Sequence, residues 1–246
     1  MDRFTDRRIL ITGGSNGMGL AGAKQLVAEG AKVAITGRNA ARLAAARALF
    51  SQEHLVLAND GAQADTGDKL AEALAAWGPL DGLWLNAGVA VLDDAAQADC
   101  GSFDRIMYTN VRGPTLQLSA LLPLLKDGAS VVLTSSSSAY EGAAATGLYG
   151  AAKGAVIALA RSWASALAPR KIRVNVLVPG PIETGFRDFL AEEAKANFEA
   201  GVLTQVPLAR VGDAEEAANA ALFLLSDHAS YITGSQLPVD GGLIRR

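Results

Sequence analysis

The chain has 246 residues, half of them hydrophobic and 19% charged, so it can bury a full core within one α/β domain spanning 1–246. A formal net charge of −3 and a pI near 5.5, with no basic block, argue against a nucleic-acid partner. The single Cys100 excludes an internal disulfide, and His54 and His228 lie near no second His or Cys at ligand spacing, which speaks against a metal centre and against a histidine-based triad.

The opening MDRFTDRRILITGG carries charges and too short an apolar run for a signal peptide, so a cytoplasmic location is expected. Arg8 to Thr12 is a β-branched run, and a helical pattern follows from Met18 to Glu29. The joint between them, TGGSNGMG, places Gly13, Ser15, Asn16, Gly17, Met18 and Gly19 where a backbone must turn sharply and let a phosphate approach amides at a helix N-terminus. Lys32 to Thr36 reads as a second strand, ending in Gly37 and Arg38, with a helix through Leu43 and Leu49. His54 to Ala58 is the third strand, ending in Asn59, Asp60 and Gly61; a helix from Leu70 to Trp77 leads to a fourth strand, Gly82 to Leu85, ending in Asn86, Ala87 and Gly88. Small and polar residues after each strand suit the carboxyl ends of parallel strands beside a ligand crevice.

One long helix is expected from about Ala98 through Leu122, with Asn110 in its middle, where an asparagine is an unusual choice. Ser130 to Thr134 is the fifth strand and runs into Ser135 to Ser138. The next helix carries LYGAAKGAVIALARSWASAL; within it Tyr149 and Lys153 stand four apart and share a face. A cation near a phenol favours phenolate, so this pair reads as a tyrosine whose pKa is lowered for acid–base work. The low-charge stretch from Gly142 to Ala160 has the length of a membrane span, but with Lys153 inside it a buried helix is the better reading. Ile172 to Val178 is the sixth strand, stopped by Pro179, Gly180 and Pro181. Between Pro181 and Pro207 an irregular, acid-rich pattern predicts an inserted pair of short helices, and the segment 182–206 reads as a lid. A helix from Ala214 to Leu225 and a strand from Gln236 to Val239 close the chain. Seven strands alternating with helices predict a doubly wound parallel sheet.

Taken together, the spacings resemble the short-chain dehydrogenase/reductase family over essentially the whole chain. Thr12, Gly13, Gly17 and Gly19 match its TGxxxGxG turn, Asn86 to Gly88 its NAG, Tyr149 and Lys153 its YxxxK, and Pro179, Gly180 and Thr184 its PGxxxT. Ser136 lies thirteen residues before Tyr149, the family's interval for its catalytic serine, and Asn110 is similar to its helical asparagine. Asn16, Met18 and Ala139 are mild departures.

The resemblance implies a Rossmann fold, a hydride exchanged between NAD(P) and a carbonyl or alcohol, and a catalytic set of Asn110, Ser136, Tyr149 and Lys153. Tyr149 would be the acid or base, and Ser136 would bond the substrate oxygen. Lys153 would lower the tyrosine pKa and hold the nicotinamide ribose, and Asn110 would hold a water leading to solvent. Cofactor contacts would come from the glycine turn with Ser15, Asn16 and Met18, from Gly37, Arg38, Asp60, Gly61 and Asn86 to Gly88, and from Pro179, Gly180, Ile182 and Thr184. Gly37 stands where an acid would select NAD, and Arg38 follows it, so NADP(H) is the expected preference and NAD(H) the lesser one. The expected substrate is a small, partly hydrophobic ketone or secondary alcohol. The rival readings are a ketoreductase for carrier-bound 3-oxoacyl chains and a non-catalytic dinucleotide-binding regulator. Apolar surplus on the helices bearing Phe103 to Leu122 and Tyr149 to Leu167 points to a homotetramer or homodimer, with neither nucleic acid nor membrane as a partner.

Overall fold

The computed structural model describes residues 3–91, 93–96, 98–185 and 191–244, apart from the side chains of 199, 202 and 203. In chain order the elements are β1 (Arg8–Thr12), α1 (Gly17–Ala28), β2 (Lys32–Gly37), α2 (Ala40–Leu49), β3 (Leu55–Ala58), α3 (Thr66–Leu74), β4 (Leu80–Leu85), α4 (Cys100–Met107), a π turn (Tyr108–Arg112) and α5 (Gly113–Leu121). They continue as β5 (Leu125–Thr134), α6 (Ser138–Glu141), α7 (Gly147–Leu167), β6 (Arg173–Pro179), β7 (Ile182–Glu183), α8 (Glu192–Gln205), β8 (Gly212–Asp213), α9 (Ala214–Leu225) and β9 (Gln236–Val239).

Seven strands form one parallel sheet in the order β3-β2-β1-β4-β5-β6-β9, while β7 and β8 pair separately. Alternation along each strand feeds two cores. In β1, Ile9 and Ile11 join Trp84, Leu222 and Leu225 in the layer of α1, α2 and α9, whereas Leu10 points into the layer of α3, α5 and α7 with Leu74, Val131 and Val156. The strand order reverses between β1 and β4, and a doubly wound sheet opens its ligand crevice at that point, beyond the carboxyl ends of the strands.

Several expected elements differ from the structure: α3 spans Thr66–Leu74 where Leu70 to Trp77 is expected, and β5 begins at Leu125, five residues before the expected Ser130. The long helix from Ala98 is broken into α4, the π turn and α5. Pro114 has no N–H to continue the helical ladder, and the Gly113 N–H instead bonds the Tyr108 carbonyl five residues back. Strand three begins at Leu55, because His54 turns its imidazole inward, where Nδ1 accepts from the Val33 N–H at 3.1 Å and burial lowers its pKa. Finally, among the described residues the acid-rich insertion holds a fourteen-residue helix, α8, longer than either of the short helices expected, while the part of that expectation falling on 186–190 lies outside the described residues.

Candidate active site

The glycine turn sits at the crevice between β1 and β4. Gly13 has φ +67°, and a Cβ there would stand 2.9 Å from the Ala87 Cα; Gly17 has φ +52° and faces Thr184, whose Cβ would lie 2.8 Å away. A Cβ at Gly19 would meet the Gly13 carbonyl oxygen at 2.5 Å. Three segments distant in sequence are thereby locked together. Thr12 Oγ1 accepts from the Asn86 and Ala87 amides at 3.0 and 3.1 Å, Asn86 Nδ2 donates to Gly13 O at 3.3 Å, and Asn16 Nδ2 donates to Thr184 O at 3.0 Å. Asn16 occupies the N-cap position of α1 without bonding the first turn through its side chain, so that turn keeps N–H groups free for an anion. Met18 is partly buried against the α1 layer.

A second hollow, of about 320 Å³, lies beyond β2 and β3 and is lined by Gly37, Arg38, Asn59, Asp60 and, among others, Lys69. Arg38 reaches Asp60 at 3.7 Å, and Asp60 Oδ1 also accepts from the Ala62 N–H at 3.0 Å. Gly61 carries this loop under α5: a Cβ at Gly113 would overlap the Gly61 carbonyl oxygen. Lys69 is a second cation in this hollow, paired with Asp65 at 2.8 Å. No local pattern marks it; the fold brings it there from α3. Gly37 and Ser15 fit against each other, since a Cβ on Gly37 would overlap the Ser15 hydroxyl and lie 2.9 Å from its Cβ.

At the other end of the crevice, β5 delivers the serines and α7 the tyrosine and lysine. The four serines separate by role. Ser135 Oγ donates to the Lys153 carbonyl at 2.8 Å, the Ser137 N–H donates to Pro179 O at 2.9 Å, and the Ser138 carbonyl packs under Gly150. Ser136 is the serine whose side chain hydrogen-bonds the Tyr149 phenol. Tyr149 is 8% exposed and Lys153 3%. Lys153 Nζ donates to Thr134 O at 2.9 Å and lies 5.6 Å from the Tyr149 ring centre. Burial raises the phenol to about 12 and lowers the ammonium to about 8. Without ligand, therefore, desolvation prevails, opposed by the Ser136 hydrogen bond, and the lowering by Lys153 that the spacing suggested is not seen.

Asn110 is buried in the π turn, and its amide is tied to Val89: Oδ1 accepts from the Val89 N–H at 3.0 Å and Nδ2 donates to Val89 O at 2.9 Å. Gly88 separates Asn110 from Lys153, for a Cβ there would lie 2.8 Å from Asn110 Oδ1 and 3.2 Å from Lys153 Nζ. Thr134 joins the two ends of the crevice, since its Oγ1 accepts from Trp84 Nε1 at 2.9 Å and donates to Asn86 Oδ1 at 3.2 Å. Just after β6, the Gly180 N–H donates to Val239 O at 2.9 Å. Ile182 turns its side chain away into the α1 and α9 core, leaving only its backbone to face the crevice.

Positive-φ glycines with no room for a Cβ, free amides at the start of α1 and a cation-bearing hollow beyond β2 fit a dinucleotide. Among the described residues no group of three His, Cys, Asp or Glu could hold a metal, and no helix is long and apolar enough to cross a membrane. Fold and site together define the class of a dinucleotide-dependent oxidoreductase.

Comparison with known proteins agrees. The family model described as enoyl-(acyl carrier protein) reductase matches residues 13–244. The oxidoreductase asL5 of Sarocladium schorii is 37% identical over 99% of this chain and 98% of its own length. The 2-(S)-hydroxypropyl-CoM dehydrogenase 3 of Xanthobacter autotrophicus is 35% identical over 98% of both. A crystal structure of a short-chain dehydrogenase/reductase, glucose/ribitol dehydrogenase, from Brucella melitensis superposes with a TM-score of 0.92 at 32% identity, covering 99% of each chain. The chain belongs to the short-chain dehydrogenase/reductase family. It is an oxidoreductase of alcohol and carbonyl groups that uses a nicotinamide dinucleotide and a small-molecule substrate.

Proposed function

We propose that the protein is an NADP(H)-dependent reductase of small, partly hydrophobic ketones, reversibly a dehydrogenase of the secondary alcohols, acting in the cytoplasm. The observation that carries this reading is the buried Tyr149 phenol, bonded to Ser136 beside a buried Lys153. The bound nicotinamide supplies or accepts the hydride at the carbonyl carbon. With its pKa near 12, Tyr149 keeps its proton at neutral pH and gives it to the carbonyl oxygen as that oxygen gains charge; in oxidation the same phenol oxygen takes the proton back. Ser136 Oγ donates a second hydrogen bond to the developing oxyanion, in a site where little water competes. Lys153, now on Thr134 O and 5.6 Å from the Tyr149 ring centre, would hold the ribose hydroxyls of a bound cofactor.

The preference for NADP rests on Arg38 and Lys69 lining the hollow beyond β2, with no acid at Gly37. Free substrates are favoured over carrier-bound ones because Glu192 and Glu193 open α8 and would repel an acidic carrier. Steady-state kinetics on a panel of ketones and alcohols with each cofactor test the reading. A charge-assisted contact is worth about 1.5–3 kcal/mol, so Arg38→Ala should weaken NADP binding about 10- to 150-fold and leave NAD binding nearly unchanged. A wild type as efficient with NADH as with NADPH would overturn the preference.

A further inference from the structure

Helix α7 begins without a cap of its own. Thr146 at its N-cap position makes no side-chain bond to the first turn, and that turn contains no acid. Tyr149 nevertheless sits third in the helix, where the backbone N–H groups have no intrahelical partner. The acceptor comes from elsewhere. Asp93, eight positions after the end of β4 at Leu85, sets its two carboxylate oxygens 3.3 and 3.2 Å from the Leu148 nitrogen and accepts its N–H. The Asp93 N–H in turn donates to Ala145 O at 3.0 Å. Gly147 lies directly beneath, and a Cβ there would stand 3.1 Å from Asp93 Oδ2.

The same stretch is pinned at its other end, where Asn110 closes both hydrogen bonds on Val89. Between the two pins, Val89, Ala90 and Val91 pack with Leu148, Tyr149 and Ile106 in one apolar cluster. Val89 to Val91 together with Asp93 therefore brace the π turn against the first turn of α7. We propose that Asp93 is a positioning residue for Tyr149: acting through Leu148, it supplies the acceptor that α7 lacks and fixes the turn that aims the phenol at the substrate oxygen. The inference rests on Tyr149 being the acid–base group.

The test compares Asp93→Ala, Asp93→Asn and Tyr149→Phe in the full chain. It reads kcat and KM for the best ketone of the panel, NADPH affinity, and hydrogen exchange of residues 147–150. Small displacements of a reacting group are costly, so Asp93→Ala should lower kcat/KM about 10- to 100-fold and speed exchange of those amides, with NADPH affinity held within about twofold. Asp93→Asn keeps an oxygen for the Leu148 N–H but drops the charge, and should recover most of the loss. Should Asp93→Ala fail to fold, Gly147→Ala presses a methyl against the carboxylate in a helix-favouring background and should give the same loss. Wild-type kcat/KM and exchange in Asp93→Ala or Gly147→Ala, no recovery in Asp93→Asn, or an NADPH affinity falling in step with activity would each overturn the proposal. An active Tyr149→Phe enzyme would remove the underlying reading, whereas an inactive Tyr149→Phe beside an unimpaired Asp93→Ala would remove only the brace.

Discussion

Helices α7 and α8 differ in almost every physical respect. Helix α7 buries eight residues along twenty-one, from Tyr149 to Leu167, and its polar groups are tied to β5 through Ser135 and Thr134. Helix α8 buries none of its described side chains; Phe198 is 40% exposed, and acids open its first turn. Fully burying a large aliphatic side chain is worth about 1.5–3 kcal/mol, so the few that α7 buries already hold it far more firmly than anything described in α8. The difference is the one a division of labour would require, since groups that move protons must stay within tenths of an ångström, whereas a segment that covers a substrate must open at little cost.

The largest effect should come from removing the proton that α7 carries. Tyr149→Phe is expected to lower turnover about 10²- to 10⁴-fold with cofactor affinity preserved, and a mutant keeping more than about a tenth of wild-type turnover, with chemistry rate-limiting, would break the assignment.

Hydrogen exchange tests the contrast directly. In ligand-free protein the amides of α8 should exchange at least about 100-fold faster than those in the middle of α7, and slow down when cofactor and substrate bind. Equal protection of the two helices before ligand is added would mean that 182–206 is not a lid.

Even the firm helix carries a penalty for its chemistry. Burying an ammonium whose pKa falls from 10.5 to about 8 costs up to about 3 kcal/mol. Because the folded value lies below the unfolded one, the unfolded chain binds more protons between these pH values, and this contribution to stability rises with pH from about 8 to 10.5. Lys153→Met, without ligand, should therefore be the more stable protein at pH 7 by up to about 3 kcal/mol, with the gain gone near pH 10.5. Urea denaturation at both pH values measures it, and a less stable mutant at pH 7 would contradict the penalty.

The smallest change concerns what else covers these helices. Phe103 and Tyr108, 49% and 38% exposed in and just after α4, are surfaces on which a second copy would pack, and sedimentation at micromolar concentration should find a tetramer or dimer. A monomer would refute that. An interface that buries α8 would erase its contrast with α7.

Legibility from sequence followed distance along the chain. The glycine turn, the Tyr149–Lys153 pair and each strand of the sheet were readable because their signals are local. The break at Asn110 was also written locally, in Gly113-Pro114, but the long apolar periodicity masked it. Lys69 and Asp93 could not be read, since only the packed fold carries α3 to the hollow beyond β2 and the loop after β4 to the start of α7. The direction of the tyrosine shift was misjudged for a related reason: a spacing of four reports a shared face but not how much water that face retains.

The fit of Gly37 against Ser15 constrains the routes by which such a protein could change its diet of cofactors. An aspartate at 37 would exclude the 2′-phosphate, but placed beside the present Ser15 it would have no room for its own Cβ. Of the two orders in which the pair can be exchanged, Gly37→Asp first passes through a crowded intermediate, and Ser15→Gly first removes the two tightest contacts and leaves Leu43 Cδ2, 3.2 Å from that Cβ, to give way. Starting from the proposed NADP preference, a stepwise walk toward NAD through glycine at 15 would meet less crowding than a direct Gly37→Asp step.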